Sequence, residues 1–567
     1  MITNYFLLYF SALIISFSIL GYGFLLSRII DKNLSSYNLG YQGLLGILFL
    51  TFISYLTIFF MKHGYVHNII VHIIGISSFV IYFKKKFSLK DIKKFLILFS
   101  ILFIGLLIIR NHDDFNYYHL TYSLGLTEHK IFMGLGQYSQ GYRYHSSLFF
   151  FNSIIFLPYI KYYLFHSLGW FTLVFINYLI IDFLLFNKVK ELKFEYFFYL
   201  FTILFINIKF SRIGGYGTDL SSQMVLITIF PLIYSTLKTN IKSDLFKSNL
   251  FMIILLITYT VTLKAFFILS FLFLISFLFF YDFKKIFNIV IFSKTFIFSI
   301  TLILLLIAVN LAYTGCAIYP VKSTCLSNQL SWALEKDYVG RMYNWVQQWS
   351  KSGASSTYRV ENPQEYIKGF NWVSNWYERY FLYKFKELIM GLTAAIVILL
   401  VSFRGPKKEF LNEKKNKSLL ILFLITLILF FEWFYNHPAL RYGGYHLFCI
   451  IVFIPVCYYL SQKKLFFIEK KKVIISLICV SFIIFGLRNI ERINEEQRIV
   501  KENNFPLFFS PKQNFEKFEL RHNTNLYVPT DLSGCWAIKT PCVFGVEGTI
   551  VDKKWGYIIF RKVGHWF

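Results

Sequence analysis

Long apolar runs separated by short polar stretches dominate the chain from its first residues to about residue 487. Each run approaches or exceeds the ~17–25 residues that a helix needs to cross the hydrocarbon core of a bilayer. The runs are apolar throughout rather than alternating, which excludes a membrane β-barrel. The predicted spans lie near 5–28, 41–60, 66–83, 95–109, 162–186, 195–210, 222–238, 249–263, 265–281, 296–313, 386–403, 418–434, 444–460 and 473–487. The pattern therefore predicts an all-α polytopic membrane protein with about 14 transmembrane helices.

This count depends on two local interpretations. The stretch 147–158 is too short to cross and is expected to stay on one side of the membrane. Lys264 is expected to mark a tight turn between two spans, because it would otherwise lie in the middle of the membrane.

Composition agrees with a membrane protein and changes how the charge is interpreted. The chain has 567 residues, of which 56% are hydrophobic, and its net charge is +28. Such a basic chain could suggest nucleic-acid binding, but Lys and Arg lie in the short loops between apolar runs, as the positive-inside rule predicts. No basic helix or aromatic platform for nucleic acid occurs outside the spans. The membrane is the expected partner, with no nucleic acid.

The basic loops predict which side of the membrane each segment faces. The Lys-rich stretches 84–94, 404–417 and 462–472 are expected to be cytoplasmic. The opposite side then receives 110–146, 211–221, 315–384, 436–445 and the residues after 488. The abundance of Lys, Ile, Phe, Tyr and Asn is typical of an AT-rich bacterial genome, so the expected location is a bacterial inner (plasma) membrane, with the functional loops and the C-terminus extracytoplasmic.

Cysteine placement agrees with this orientation. Cys316, Cys325, Cys535 and Cys542 all fall in segments assigned to the non-cytoplasmic side. They are expected to form the pairs Cys316–Cys325 and Cys535–Cys542, since oxidising compartments permit disulfides. A zinc site is the alternative, although neither pair has a tight Cys-x-x-Cys spacing.

These observations divide the chain into five parts. They are accessory transmembrane helices (1–94), a transmembrane core with acidic outer loops (95–314), an extracytoplasmic loop with a Cys pair (315–385), C-terminal transmembrane helices (386–487) and a small, β-rich extracytoplasmic module (488–567).

The first outer loop begins with two adjacent carboxylates, Asp113 and Asp114, at the exit of the apolar run 95–109. A charged residue near the centre of a spanning helix costs about 2.5–3.5 kcal/mol, and less toward the interface. Such a pair therefore indicates chemistry or transport, and Asp113 and Asp114 are the candidate catalytic residues.

Further polar and aromatic residues of the same loop are candidates for substrate binding. These are His112, Tyr118, His119 and Arg143. Helical spacing places Tyr118 on the face of Asp114, so an interfacial amphipathic helix is expected here. A second short helix at 146–157 is expected to lie in or dip into the membrane interface.

Three residues of later outer loops complete the candidate substrate-binding set. Asp219 follows a Gly-rich stretch and either caps the next span or acts as a functional carboxylate. Lys264 and Arg441 lie between apolar runs, where each can bind a lipid phosphate or simply anchor in the headgroups.

Common catalytic motifs are missing from the sequence. It has no Walker A motif, no dinucleotide glycine fingerprint, no His-Glu-x-x-His and no Gly-x-Ser-x-Gly. No residue is assigned as a metal ligand and no cofactor is certain. A divalent metal is possible through Asp113, Asp114 and Asp219, but three carboxylates are weak evidence for one.

An acidic pair just after a span, two short interfacial helices and a second outer loop with another acid form a layout that resembles the GT-C class of integral membrane glycosyltransferases. The resemblance covers about 95–490 and implies a polyprenyl-phosphate-linked sugar donor used at the outer face. It implies that Asp113 or Asp114 acts as base on the acceptor, or binds a metal where one is used. It also implies that Lys264 and Arg441 hold the lipid phosphate. The loop 315–325 is similar to one in other bacterial multi-span proteins.

The expected function is therefore transfer of a sugar from a lipid-linked donor to an envelope glycan or lipid acceptor. One alternative is a transporter or flippase for a lipid-linked glycan, which predicts charged residues deep within spans and repeat symmetry. Another is an O-antigen polymerase or ligase, which would use outer-loop Arg and His residues rather than an acidic pair.

Overall fold

A computed structural model gives the structure of most of the chain. It describes residues 2–107, 112, 114–186, 190–215, 217–354, 360–406, 416–501, 514–530 and 534–562. The predicted catalytic residue Asp113 lies outside the described residues.

Twenty α-helices and four β-strands make up the described part of the chain. The helices are α1 (Ile2–Ile30), α2 (Leu39–Thr57), α3 (Tyr65–Lys86), α4 (Leu89–Leu102), α5 (Leu120–Glu128), α6 (Ser147–Ile154), α7 (Leu168–Phe186), α8 (Phe194–Lys209), α9 (Leu220–Thr236), α10 (Asp244–Leu263), α11 (Leu272–Leu278), α12 (Phe283–Ile291), α13 (Lys294–Thr314), α14 (Lys336–Lys351), α15 (Pro363–Ile367), α16 (Val373–Trp376), α17 (Lys386–Ser402), α18 (Lys417–Asn436), α19 (Gly444–Ser461) and α20 (Phe467–Lys501). The strands are β1 (Phe515–Leu520), β2 (Thr524–Pro529), β3 (Thr549–Lys554) and β4 (Tyr557–Lys562).

Ten helical segments of the described chain are long and apolar enough to cross a membrane. They are Tyr5–Ile30, Leu39–Thr57, Tyr65–Lys85, Leu168–Phe186, Asp244–Leu263, Lys294–Thr314, Val373–Ser402, Lys417–Asn436, Gly444–Ser461 and Phe467–Arg498. The expectation of a multi-pass helical membrane protein is therefore confirmed, whereas the count of fourteen is not.

The four remaining predicted spans correspond to shorter elements. The runs at 95–109, 195–210 and 222–238 form the 14-residue α4, the 16-residue α8 and the 17-residue α9. The run at 265–281 opens with a 3-10 helix, Ala265–Phe271, before α11. At about 1.5 Å per residue, an α-helix of 14–17 residues spans ~21–26 Å, less than the ~30 Å of a typical hydrocarbon core.

Close backbone contacts hold the first helices together. A Cβ added to Gly21 of α1 would lie 1.8 Å from the carbonyl oxygen of Gly75 in α3, and one added to Gly46 of α2 would lie 1.8 Å from the oxygen of Ile19. Small residues allow membrane helices to approach so closely, and packing then replaces the hydrophobic effect as the force that joins them.

The loops gather at two ends of the helix bundle. At one end the basic loops meet, where Lys94 forms an ion pair with Asp182 at 3.5 Å and the amide of Leu192 donates to the carbonyl oxygen of Leu465 at 2.9 Å. At the other end the amide of His63 donates to the oxygen of Leu126 at 2.8 Å, and that of Gly134 donates to the oxygen of Ala312 at 2.7 Å.

The first large loop contains two short helices, as expected, but both are buried in the protein. All eight residues of α6 are buried, and seven of the nine residues of α5 are. Because α6 is covered by protein, the expectation that the segment 146–157 lies in or dips into the membrane interface stays a prediction. The apolar run Leu148–Phe151 of α6 packs into the core together with α2, α5, α7 and α10.

A small module of two antiparallel β-hairpins, β1–β2 and β3–β4, follows the last helix. It packs against the first loop: the amide of Phe560 donates to the carbonyl oxygen of Met133, and the amide of Trp536 donates to that of Asn116, both at 2.9 Å. The expected disulfides Cys316–Cys325 and Cys535–Cys542 are both present.

Candidate functional site

Asp219 is the buried centre of an ion-pair cluster that joins three distant parts of the chain. It immediately precedes α9, and its side chain is only 1% exposed. One carboxylate oxygen pairs with Nζ of Lys264, at the end of α10. The other accepts a hydrogen bond from Nε of Arg441 at 2.9 Å. Arg441 belongs to the 3-10 turn Leu440–Tyr442 between α18 and α19.

The side chain of Asp219 makes no hydrogen bond that caps α9. Of the two interpretations of this residue, the cap is therefore not what the structure shows. Lys264 and Arg441 likewise point to a carboxylate rather than only toward lipid headgroups. Asp219 organises the two cations, and their roles toward a substrate remain predictions.

The turn that carries Arg441 is held by several polar contacts. Nε2 of Gln223, in α9, donates to the backbone oxygen of Arg441 at 2.9 Å. The hydroxyl of Tyr380 accepts a hydrogen bond from the amide of Leu440 at 2.8 Å, and Nε1 of Trp376 donates to the oxygen of Pro438 at the same distance. These contacts fix the backbone from which the guanidinium extends.

Burial and pairing act against each other in this cluster. Burial alone would raise the pKa of Asp219, but Lys264 and Arg441 together bring that pKa below its ordinary value. Burial lowers the pKa of Lys264, and Asp219 opposes this shift. Burial would also lower the pKa of Arg441, but the carboxylate of Asp219 outweighs it and raises that pKa. The charged forms of Asp219 and Arg441 are therefore favoured at neutral pH.

Two aromatic residues complete the surroundings of the cations. Nζ of Lys264 lies 4.3 Å from the ring centroid of Tyr442, and Cζ of Arg441 lies 5.7 Å from that of Trp349 in α14. Such cation–π contacts contribute about 0.5–2 kcal/mol each. Neither residue is among the candidates predicted from the sequence. Tyr442 adjoins Arg441 and was available as a signal, whereas no spacing in the sequence places Trp349 beside residue 441.

A second cluster lies at the start of the first loop. Nδ1 of His112 lies 3.5 Å from Oδ2 of Asp114 and accepts a hydrogen bond from the amide of Asp114 at 3.1 Å. The rings of His112 and His119 stack at 5.6 Å. His112, Asp114 and His119 each offer one possible ligand atom, and these three atoms all lie within 4.8 Å of one another. The chain makes a π-helical turn over Phe115–His119, which aims His119 back toward His112.

The Gly-rich second loop closes over these two imidazoles. Gly217 has a φ of +55°, and a Cβ placed on it would lie 3.1 Å from Cε1 of His119. Glycine is favoured here both by the left-handed backbone and by the close ring. The loop thereby brings Asp219 and the histidines to the same place.

The two clusters lie close enough for their charges to interact. The negative charge of Asp114 acts to raise the pKa of both Lys264 and Arg441. His119 is buried, and burial followed by the neighbouring His112 and Arg441 lowers its pKa well below the ordinary value. His119 is consequently neutral at neutral pH.

The remaining predicted residues divide between this site and its surroundings. Tyr118 is half-buried, with its ring 4.5 Å from that of His119, so it belongs to the site. Arg143 is buried in the turn Gln140–Arg143, which packs against Phe115–His119, and it donates to the carbonyl oxygen of Gly136 and to the hydroxyl of Tyr338. These contacts give Arg143 a structural role in the described part of the chain.

A groove opens beside the cation cluster and is lined mostly by apolar residues, among them Phe266, Leu429 and Trp433. Glu432, His437 and His446 also line it. Tyr442 belongs both to this groove and to the surroundings of Lys264. The two cations therefore lie next to a groove whose lining is mostly apolar.

The chain belongs to a family described as a domain of unknown function, DUF8201, whose model matches residues 5–449. The match includes all the residues of both clusters and ends before the C-terminal module. No curated protein and no solved structure matches the chain significantly.

Proposed function

We propose that this protein is a membrane glycosyltransferase that moves a sugar from a lipid-phosphate-linked donor, of the polyprenyl-phosphate type, to a glycan or lipid acceptor. The observation that carries the proposal is the meeting of Lys264 and Arg441 at the buried carboxylate of Asp219, beside Asp114. Two fixed cations next to a more exposed carboxylate suit a reaction with an anionic leaving group and a hydroxyl acceptor.

The cations serve the leaving group. When the bond between the sugar C1 and the phosphate oxygen breaks, its electron pair remains on the lipid phosphate, and Lys264 and Arg441 stabilise that negative charge. Arg441 uses Nε for Asp219, while its guanidinium carries further N–H donors suited to phosphate oxygens. Asp219 keeps the two cations in place before the donor arrives.

Asp114 is the candidate base among the described residues. Its side chain is 39% exposed, whereas that of Asp219 is 1% exposed and already paired with two cations. Asp114 would take the proton of the acceptor hydroxyl as the oxygen attacks C1 of the sugar. Asp113, its neighbour in sequence, is the other candidate for this role.

The apolar groove supports a lipid-linked donor rather than a soluble one. Its lining includes Tyr442, whose ring lies beside both cations, and residues of the segment Ala265–Phe271 and of helices α18 and α19. A polyprenyl chain in this groove would place its phosphate next to Lys264.

The arrangement of the loops supports an extracytoplasmic site in a bacterial plasma membrane. The site and both disulfides lie at the end of the bundle opposite the Lys94–Asp182 pair and the basic loops around it. Basic loops favour the cytoplasmic side, and disulfides favour an oxidising compartment.

A second candidate is a lipid-linked glycan polymerase or ligase, favoured by the position of His112 and His119 beside Arg441. Such an enzyme would use an imidazole rather than a carboxylate as base. Replacement of Asp114 by Asn and of His119 by Gln, compared side by side, separates the two reactions.

The test uses the full chain purified and reconstituted in vesicles with polyprenyl phosphate that carries a radiolabelled hexose, plus an envelope extract as acceptor. We expect sugar transfer by the wild type, which Lys264→Gln and Asp114→Asn should reduce at least ~100-fold, the low end for removal of a catalytic base. Asp182→Asn, at the other end of the bundle, is the control and should retain full activity.

Two results would contradict the proposal. Full transfer by both Asp113→Asn and Asp114→Asn would exclude a carboxylate base. Movement of the labelled lipid between leaflets without any transfer would identify the protein as a flippase instead.

A further inference from the structure

We propose that His112, Asp114 and His119 together bind one divalent transition-metal ion. The three residues offer two imidazole nitrogens and one carboxylate oxygen, all within 4.8 Å of one another. They lie within eight consecutive residues, and the π-helical turn Phe115–His119 brings His119 back to the other two without help from a distant segment. A carboxylate that ligates a metal does not also act as a free base, so metal binding at Asp114 would assign the proposed base role to Asp113. The metal site itself does not depend on the proposed reaction.

The choice of ligands indicates the class of metal. Imidazole nitrogen suits Zn²⁺, Fe²⁺ and related ions, whereas Mg²⁺ and Ca²⁺ prefer oxygen ligands alone. Two His and one carboxylate leave a coordination position open, as in zinc sites that perform catalysis rather than stabilise a fold. Zn²⁺ is therefore the first ion to test.

The distances require only a small contraction. Ligand atoms about 2.0–2.1 Å from a tetrahedral Zn²⁺ lie ~3.3 Å from each other. The 3.5 Å between Nδ1 of His112 and Oδ2 of Asp114 is close to this value. From a separation of up to 4.8 Å, the imidazole of His119 has to move up to about 1.5 Å nearer, which a side-chain rotation can supply. Metal binding at Nδ1 of His112 would replace its hydrogen bond from the amide of Asp114.

Charge then links the metal to the cation cluster. Among the described residues of the two clusters, Lys264 and Arg441 contribute +2 and Asp114 and Asp219 contribute −2, so the formal sum is zero with neutral histidines. A divalent ion raises the sum to +2, which an anionic phosphate would offset. We therefore expect phosphate and metal to strengthen each other's binding, and this coupling, unlike the metal site, rests on the proposed function.

The experiment measures metal binding by the purified full chain, prepared with a histidine-free affinity tag and stripped by a chelator. Zn²⁺ is titrated calorimetrically, and Co²⁺ is used as a spectroscopic probe because its visible absorption reports nitrogen and oxygen ligation. We expect one high-affinity equivalent per chain. His112→Asn and His119→Asn should each weaken it by more than the ~10–100-fold that loss of a supporting residue costs.

His522→Asn is the matched control. His522 lies in the β1–β2 turn, is exposed and has a φ of +62°, a conformation that Asn tolerates. It should bind metal as the wild type does. A thermal-shift measurement on every variant establishes that lost binding is not lost folding, and Asp114→Asn provides a third variant that leaves both imidazoles in place.

Each outcome is decisive. Unchanged stoichiometry and affinity in all three site variants would overturn the proposal, as would the absence of any Zn²⁺ or Co²⁺ binding by the folded wild type. Addition of inorganic phosphate, which competes for the metal far less than a chelating diphosphate, tests the coupling separately. Metal binding that phosphate does not strengthen would leave the metal site standing and count against the proposed phosphate chemistry.

Discussion

Nε of Arg441 donates a hydrogen bond to Oδ2 of Asp219 at 2.9 Å, although 222 residues separate them in the chain. Lys264 occupies the other carboxylate oxygen. Because both oxygens are engaged and the side chain is buried, Asp219 is suited to positioning cations rather than to accepting a proton. The relationship therefore distinguishes Asp219, which holds the two cations, from the more exposed Asp114, whose role in the reaction is the proposal made above.

Replacement of Asp219 by Asn should destabilise the protein and reduce sugar transfer. Removal of one partner of a buried ion pair costs about 3–5 kcal/mol, and a value of about 3 is expected because the side chains of Lys264 and Arg441 retain 28% and 29% exposure. The apparent melting temperature in detergent measures this change. Asp182→Asn, which breaks the more exposed pair with Lys94, should cost less than about 1 kcal/mol.

The wild type and the Asp219→Asn variant also predict how the stabilisation by this ion pair changes with pH. Lys264 and Arg441 lower the pKa of Asp219 despite its burial. The stabilisation is therefore present above the unfolded pKa of about 3.9 and is lost as the pH falls through the lower folded value. The difference in melting temperature between wild type and Asp219→Asn should stay constant from pH 8 to about pH 5. A difference that disappears near pH 6 would contradict the pairing.

The site residues illustrate what a sequence can and cannot reveal. Asp219, Lys264 and Arg441 each attract attention because a charge at the end of an apolar run is costly without a purpose. Sequence spacing does not show that they meet, since helix packing alone brings residues 219, 264 and 441 together. Trp349 had no such signal, because an aromatic residue in a polar loop is unremarkable until its neighbours are known.

The helices of the first loop show that a local pattern can be read correctly while the burial of the helix is missed. The spacing of Asp114, Tyr118 and Tyr122 predicted an amphipathic surface helix, yet α5 and α6 are buried. The periodicity of a sequence shows which face of a helix is apolar. It does not show whether another part of the protein packs on the polar face. The C-terminal module, whose backbone joins the loop at Asn116 and Met133, provides part of that cover.

Replacement of Gly217 by Ala should disturb both stability and the proposed metal site. An alanine at φ +55° costs about 1–2 kcal/mol, and its Cβ would press on Cε1 of His119 from 3.1 Å. We expect a lower melting temperature and weaker Co²⁺ binding. Gly391→Ala in α17, where a Cβ would meet nothing within 4 Å, should instead raise stability slightly, by up to about 1 kcal/mol. Equal behaviour of the two variants would contradict the close approach.

Replacement of Glu128 by Ala should loosen the C-terminal module from the first loop. Oε2 of Glu128 accepts hydrogen bonds from the amide of Thr540 at 3.0 Å and from its hydroxyl at 2.6 Å. Loss of a hydrogen bond of about 1.4 kcal/mol should make proteolysis within 534–562 roughly tenfold faster. Limited proteolysis followed by mass spectrometry measures this rate. Glu547→Ala, an exposed residue of the same module, should leave it unchanged.

Replacement of His145 by Gln should make the protein less sensitive to acid. Burial lowers the pKa of His145 to about 3, whereas an unfolded histidine has a pKa of about 6.5. Between these values the unfolded chain binds a proton that the folded chain does not, so stability falls as the pH falls below about 6.5. Gln cannot take up this proton, yet it can still bond to the hydroxyl of Tyr122, which lies 2.7 Å from Nδ1 of His145. The melting temperature of the wild type should therefore fall relative to that of the variant between pH 7 and pH 4, and parallel pH profiles would show that His145 does not titrate in this way.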